Sequence, residues 1–233
     1  MNRATLIFLG AFLVLTLSWG GLLLSNEQGY GALTPYFDDN ESKAYPALVP
    51  GLAARGALVY ADLGCAYCHT QQVRGGELSA DLARHWGDRV SYGRDYIRNP
   101  RVLLGDLRVG QDLRNFGARA PAAATLYLHL YDPAAVVPGS TMPPHPFLFE
   151  QHAISGQPSP LALKVGGVAP GTELVPTERA EALVAYLLSL KDGYDFPEES
   201  RKNTPPPPPK EKAGGKKEIA APAAAPKPEA TKK

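Results

Sequence analysis

The chain is short of sulfur. Its 233 residues hold two cysteines, Cys65 and Cys68, and two methionines, one of them the initiator. With no second cysteine pair, a zinc site of four Cys or His ligands lacks its donors. A disulfide between cysteines three positions apart would close a loop too small to stabilise much. A thioredoxin-like pair would stand beside a βαβ pattern, and none is visible. The chain also has no P-loop, no dinucleotide fingerprint, no catalytic-triad spacing and no internal repeat. No catalytic site of its own is expected.

What is present is one compact motif. Residues 64–71 read GCAYCHTQ and contain both cysteines. The pattern C-x-x-C-H is the signature of c-type haem attachment. Two thiols one helical turn apart can each form a thioether to one porphyrin, and His69 then supplies the proximal nitrogen. The chain is therefore expected to carry one covalent haem c on Cys65 and Cys68.

A second axial ligand is expected from Met142, the only methionine besides the initiator. It lies in Val137-Pro138-Gly139-Ser140-Thr141-Met142-Pro143-Pro144-His145-Pro146. Proline at this density forbids helix and favours a stiff, extended loop. A lone methionine is usually core filler, but core filler belongs on an apolar stripe. His/Met ligation would raise the iron's potential. The competing ligands are the histidines. His145 is close enough to Met142 to replace it, and His129 reads as a surface or propionate contact.

The residues around these motifs read as mostly α-helical. Ala4 to Ser25 is uncharged and about long enough to cross a bilayer. Arg3 precedes it and Asn26-Glu27 follow, which predicts a cytoplasmic N-terminus. A cleaved signal peptide is the alternative, but the run is long and ends without a clear cleavage site. Residues 26–50 read as an extended linker broken by glycine and proline. Leu52 to Leu63 reads as the helix that delivers Cys65. Gln71 to Ala120 is loop-rich, with nine arginines attributed mainly to solubility and a few to haem propionates. A helix is expected over Ala122 to Tyr131, and a Gly/Pro-rich connection over Gln157 to Val175. Pro176-Thr177-Glu178 opens a helix capped by Thr177, with Ala180, Leu183, Val184, Leu187 and Leu190 on one face. As the C-terminal helix of a cytochrome c it would cross the N-terminal one at Gly56.

Net charge is +1, but the last 33 residues carry +6 and the preceding 200 carry −5. An acidic body argues against nucleic acid and suits a basic electron-donor cytochrome. The boundaries read as 1–25 anchor, 26–50 linker, 51–195 mono-haem domain and 196–233 disordered Pro/Ala/Lys-rich tail.

The stretches GCAYCHTQQVR, RHWG, GDLRVGQDLRNFGAR, HLYDP and VVPGSTMPPHPFL resemble subunit II of the cbb3-type cytochrome c oxidases, the CcoO or FixO family. The resemblance covers roughly residues 1 to 192. It implies one N-terminal transmembrane helix and one class I cytochrome c-like domain with long loops. It also implies that Cys65, Cys68, His69 and Met142 match the family's attachment cysteines and axial ligands. The chain departs from the family at Gly75, at Ala134 and along Leu104 to Leu113. The implied function is electron transfer in a respiratory haem–copper oxidase. Its partners would be a membrane-embedded catalytic subunit, other cytochrome c subunits and an electron-donor cytochrome. The implied location is a bacterial inner membrane, with the haem domain on the periplasmic side. The rivals are the cytochrome c subunit of a nitric oxide reductase and a free-standing tethered carrier.

Overall fold

The structure is a computed structural model and describes residues 2–31, 33–76 and 79–196. The chain divides into a unit of residues 1–196 and one of residues 197–233. The expected tail from residue 197 onward lies outside the described residues.

The described chain is mostly helical. Helix α1, Arg3–Asn26, begins where the Asn2 side chain accepts from the Ala4 amide at 3.4 Å. Twenty-four residues rise about 36 Å, more than a bilayer core of about 30 Å. None of its residues is buried, so no other described element of the chain covers its apolar surface. Glycines at 29 and 31 do not stop it: one wide turn continues over Glu27–Gly31. The stretch read as an extended linker also holds a hairpin, β1 Tyr36–Asp38 and β2 Lys43–Tyr45, with Tyr36 opposite Tyr45. Period-2 alternation over three residues is too short to read. The hairpin is held by aromatic stacking instead: the Tyr45 and Tyr194 rings lie 3.9 Å apart, and the Tyr194 hydroxyl donates to Asp38 at 2.8 Å. Phe196, assigned to the tail by its sequence, is 1 % exposed and packs edge-on against Tyr194.

Helix α2, Gly51–Asp62, is followed by the short α3, Phe116–Arg119, then α4, Ala123–Tyr131, and α5, Pro133–Val136. Strands β3, Phe149–Ala153, and β4, Thr172–Pro176, pair antiparallel with Phe149 opposite Pro176. The second strand falls in the stretch read as a Gly/Pro-rich connection. Helix α6, Glu178–Ser189, closes the unit, its N-terminus capped by Thr177, which accepts from the Ala180 amide at 3.4 Å.

The core forms where α2 crosses α6. A Cβ on Gly56 would lie 1.9 Å from the Ala182 carbonyl oxygen, so only glycine permits this approach. Tyr60, Ala180, Leu183 and Val184 are buried around the crossing, and the Tyr60 and Tyr186 rings meet edge to face at 5.4 Å.

The loops from Gln71 to Ala120 are held differently. Three of the nine arginines in this stretch pair with buried aspartates. Arg89 binds Asp95 at 2.7 and 2.9 Å, Arg108 binds Asp81 at 2.5 Å, and Arg114 forks onto Asp192 at 2.8 Å through two nitrogens. With little regular structure here, loop backbone and side chains must satisfy one another.

Candidate functional site

Helix α2 ends at the motif. Gly64, at φ +72°, turns the chain in the left-handed region, and Cys65–Tyr67 form one tight turn. The Cys68 and His69 amides both donate to the Cys65 carbonyl, at 3.2 and 2.9 Å. The two cysteines therefore stand one turn apart as free thiols, Cys65 half-buried and Cys68 exposed. Burial pushes the Cys65 thiol up to about 11, which keeps it neutral at physiological pH.

The His69 ring is fixed by the backbone of a distant loop. Its Nδ1 lies 2.9 Å from the Gln111 carbonyl. A carbonyl only accepts, so Nδ1 carries the proton and Nε2 is left with its lone pair free for a metal. The loop reaches the ring because residue 110 is glycine: a Cβ there would lie 2.2 Å from the imidazole. Gly105, at φ +82°, sits equally close to the His69 carbonyl. Asp112, fully buried, ties the segment down by accepting from the Thr70 hydroxyl at 2.6 Å and the amides of Gln72 and Arg114 at 2.8 and 2.9 Å.

Cys65, His69 and Met142 all line one cavity of about 70 Å³ between α2, α4 and α6. Its walls are apolar, with Leu113, Phe116, Leu126, Leu130, Leu183 and Leu187. Met142 is half-buried, in a loop turned by Gly139 at φ +79°, and its amide donates to the Ser140 hydroxyl at 3.3 Å. His145, the rival ligand, does not line this cavity. It is 9 % exposed, its amide donates to the Leu130 carbonyl, and its ring leans on Phe147. His129 does line it, and burial and then the nearby His69 hold its imidazole below the usual range.

A larger cleft of about 400 Å³ lies between residues 41–50, α2 and residues 189–196, and contains none of the four predicted residues. Its buried charges, Arg89, Asp95, Arg114 and Asp192, satisfy one another.

The donor set of the smaller cavity suits an iron porphyrin. It offers the Cys65 thiol, one imidazole with a free Nε2, one thioether and an apolar lining, and the exposed Cys68 thiol stands one turn from Cys65. Beside it the Nε of Arg119 is buried with no partner, a donor that an anionic group would satisfy. A family model described as cytochrome C oxidase, mono-heme subunit/FixO matches residues 40–162, just over half of the chain. The chain belongs to the FixO family. It is a mono-haem subunit of a cytochrome c oxidase and takes part in electron transport. Its N-terminal helix is long and apolar enough to cross a membrane. No curated protein matches the chain.

The motif and the methionine loop were visible in the sequence of this FixO-family chain. Gly110, Gln111, Arg119 and His129 were not assigned these places. Gln111 stands 42 positions from His69, and neither composition nor periodicity signals a contact at that separation.

Proposed function

We propose that this chain is the electron-transfer subunit of a cbb3-type oxidase, passing single electrons through a haem c held by thioethers from Cys65 and Cys68. His69 Nε2 and the Met142 thioether would ligate its iron. The observation that carries the reading is the single apolar cavity lined by Cys65, His69 and Met142, with His69 Nδ1 committed to the Gln111 carbonyl.

Bound there, haem supplies a one-electron iron couple. The chain's own residues do the rest. The Gln111 carbonyl orients the imidazole and raises its basicity. Leu113, Phe116, Leu126 and Leu130 exclude water, which favours the less charged, reduced state. The proline-braced loop presents a thioether and not a second imidazole, which also favours reduction. Arg119, which stacks on Phe116 at the cavity wall and keeps a buried Nε donor, would be the arginine that meets a haem carboxylate.

Residues 1–25 would anchor the chain in a bacterial inner membrane with the N-terminus cytoplasmic. Residues 51–195 would form the haem domain on the periplasmic side, with the 36–45 hairpin packed onto it. Electrons would arrive from a donor cytochrome or a sister cytochrome c subunit. They would leave to the membrane-embedded catalytic subunit, where oxygen is reduced. The test is affinity purification of the tagged full chain from membranes. Co-purifying haem b and oxygen reduction sensitive to deletion of this gene are expected. An intact oxidase in the deletion strain would overturn the reading.

A further inference from the structure

We propose that the side chains of Gln111 and Arg119 form a clamp that sets the orientation of the His69 imidazole and thereby tunes the potential of the centre. The proposal rests on His69 being the proximal ligand.

The carbonyl that accepts from His69 belongs to a strap without regular secondary structure. Its backbone is tied on either side, by the Gly110 amide to the Cys68 carbonyl at 2.9 Å and the Leu113 amide to the Thr70 carbonyl at 2.7 Å. Between those ties one guanidinium grips the strap twice. Arg119 Nη1 donates to the Gln111 side-chain carbonyl at 2.6 Å, and Nη2 donates to the Asp112 backbone carbonyl. These two acceptors flank the carbonyl that holds the ring. A planar fork with fixed donors suits such a grip, whereas a point charge does not.

Arg119 differs here from Arg89, Arg108 and Arg114. Each of those pairs with a buried aspartate. Arg119 pairs with no carboxylate among the described residues, and two of its nitrogens bond to the strap. It is seated by the Phe116 ring at 5.3 Å, and Phe116 also lines the cavity. Gln111 and Arg119 are thus positioning residues that act through the His69 ring.

The consequence is electronic. A short Nδ1–H···O bond makes the imidazole a stronger donor and favours oxidised iron. Loosening the clamp lengthens that bond and favours reduced iron. Gln111→Met keeps size and removes the acceptor. Arg119→Met removes the grip and also a positive charge, which by itself favours oxidised iron. A double-mutant cycle separates the two, because the charge loss is common to the Arg119→Met and double variants.

The experiment uses the full chain, haem-loaded and in detergent, as wild type, Gln111→Met, Arg119→Met and the double variant. Optical redox titration is expected to show a higher potential for Gln111→Met, with haem content and thermal midpoint unchanged. The same substitution should shift nothing in the Arg119→Met background. An equal shift in both backgrounds, or none in either, overturns the clamp. A second measurement reads the ring itself. Proton NMR of the reduced, haem-loaded chain should show the His69 Nδ1–H slow to exchange with solvent, and faster to exchange in Gln111→Met. Equal exchange in both also overturns it. Failure of the wild type to take up haem would reject the ligand reading, whereas a haem-loaded wild type with no change in the variants rejects the clamp alone.

Discussion

The two halves of the site are built from different materials. Behind Cys65, α2 and α6 cross on glycine, alanine and leucine, a contact made by removing side-chain volume. In front of His69, the loops from Gln71 to Ala120 form little helix and no strand among the described residues, and buried aspartates hold them. Apolar packing is non-directional and tolerates adjustment, whereas a buried carboxylate with several donors defines one geometry. The half that must orient an imidazole is the half held by directed bonds.

The comparison predicts a ranking of damage. Asp112→Ala should be the most severe, because the donors of Thr70, Gln72 and Arg114 all lose an acceptor at a buried site and Arg108 loses an ion-pair partner 3.6 Å away. A loss of about 3–5 kcal/mol is expected on breaking such an arrangement, read as a lower denaturant midpoint of the haem-free chain. Gly56→Ala should cost less, about 1–3 kcal/mol as a strained overpacking, because helices can slide apart where a carboxylate site cannot. If Gly56→Ala proves the worse of the two, the helical crossing is the stiffer half and the contrast fails. Thr177→Ala removes the cap of α6 and should cost about 1 kcal/mol in thermal unfolding.

The smallest effect is a pH dependence. Burial holds the His145 imidazole below its usual value of about 6.5. Between that value and the lower folded one, the unfolded chain binds more protons than the folded chain. Stability therefore rises with pH across the window, and is lost as pH falls from about 6.5 through the folded value. His145→Asn should flatten this slope between neutral and mildly acidic pH, and an unchanged slope would assign it to other groups.

The helices were legible in the sequence because packing imposes a period. Ala180, Leu183, Val184 and Leu187 recur on one face of α6, and Gly56 marks the close approach on α2. The haem motif was legible because its residues are adjacent. The two hairpins were missed, since three- and five-residue strands beside glycine and proline leave little alternation to read. The arginines could not be told apart in the sequence for another reason. Whether Arg114 dissolves the surface or anchors a loop depends on Asp192, 78 positions away. The histidines behave likewise: helical His129, read as a surface or propionate contact, lines the cavity, and His145 beside Met142 does not.

The most direct test of the central claim is mass spectrometry of the full chain, matured with the haem-ligation machinery and digested after acid extraction. The account predicts that the peptide carrying Cys65 and Cys68 retains one haem through both sulfurs, and that Cys65→Ala/Cys68→Ala abolishes it. A peptide with both thiols free to alkylation, or a haem removed by the acid, would contradict it.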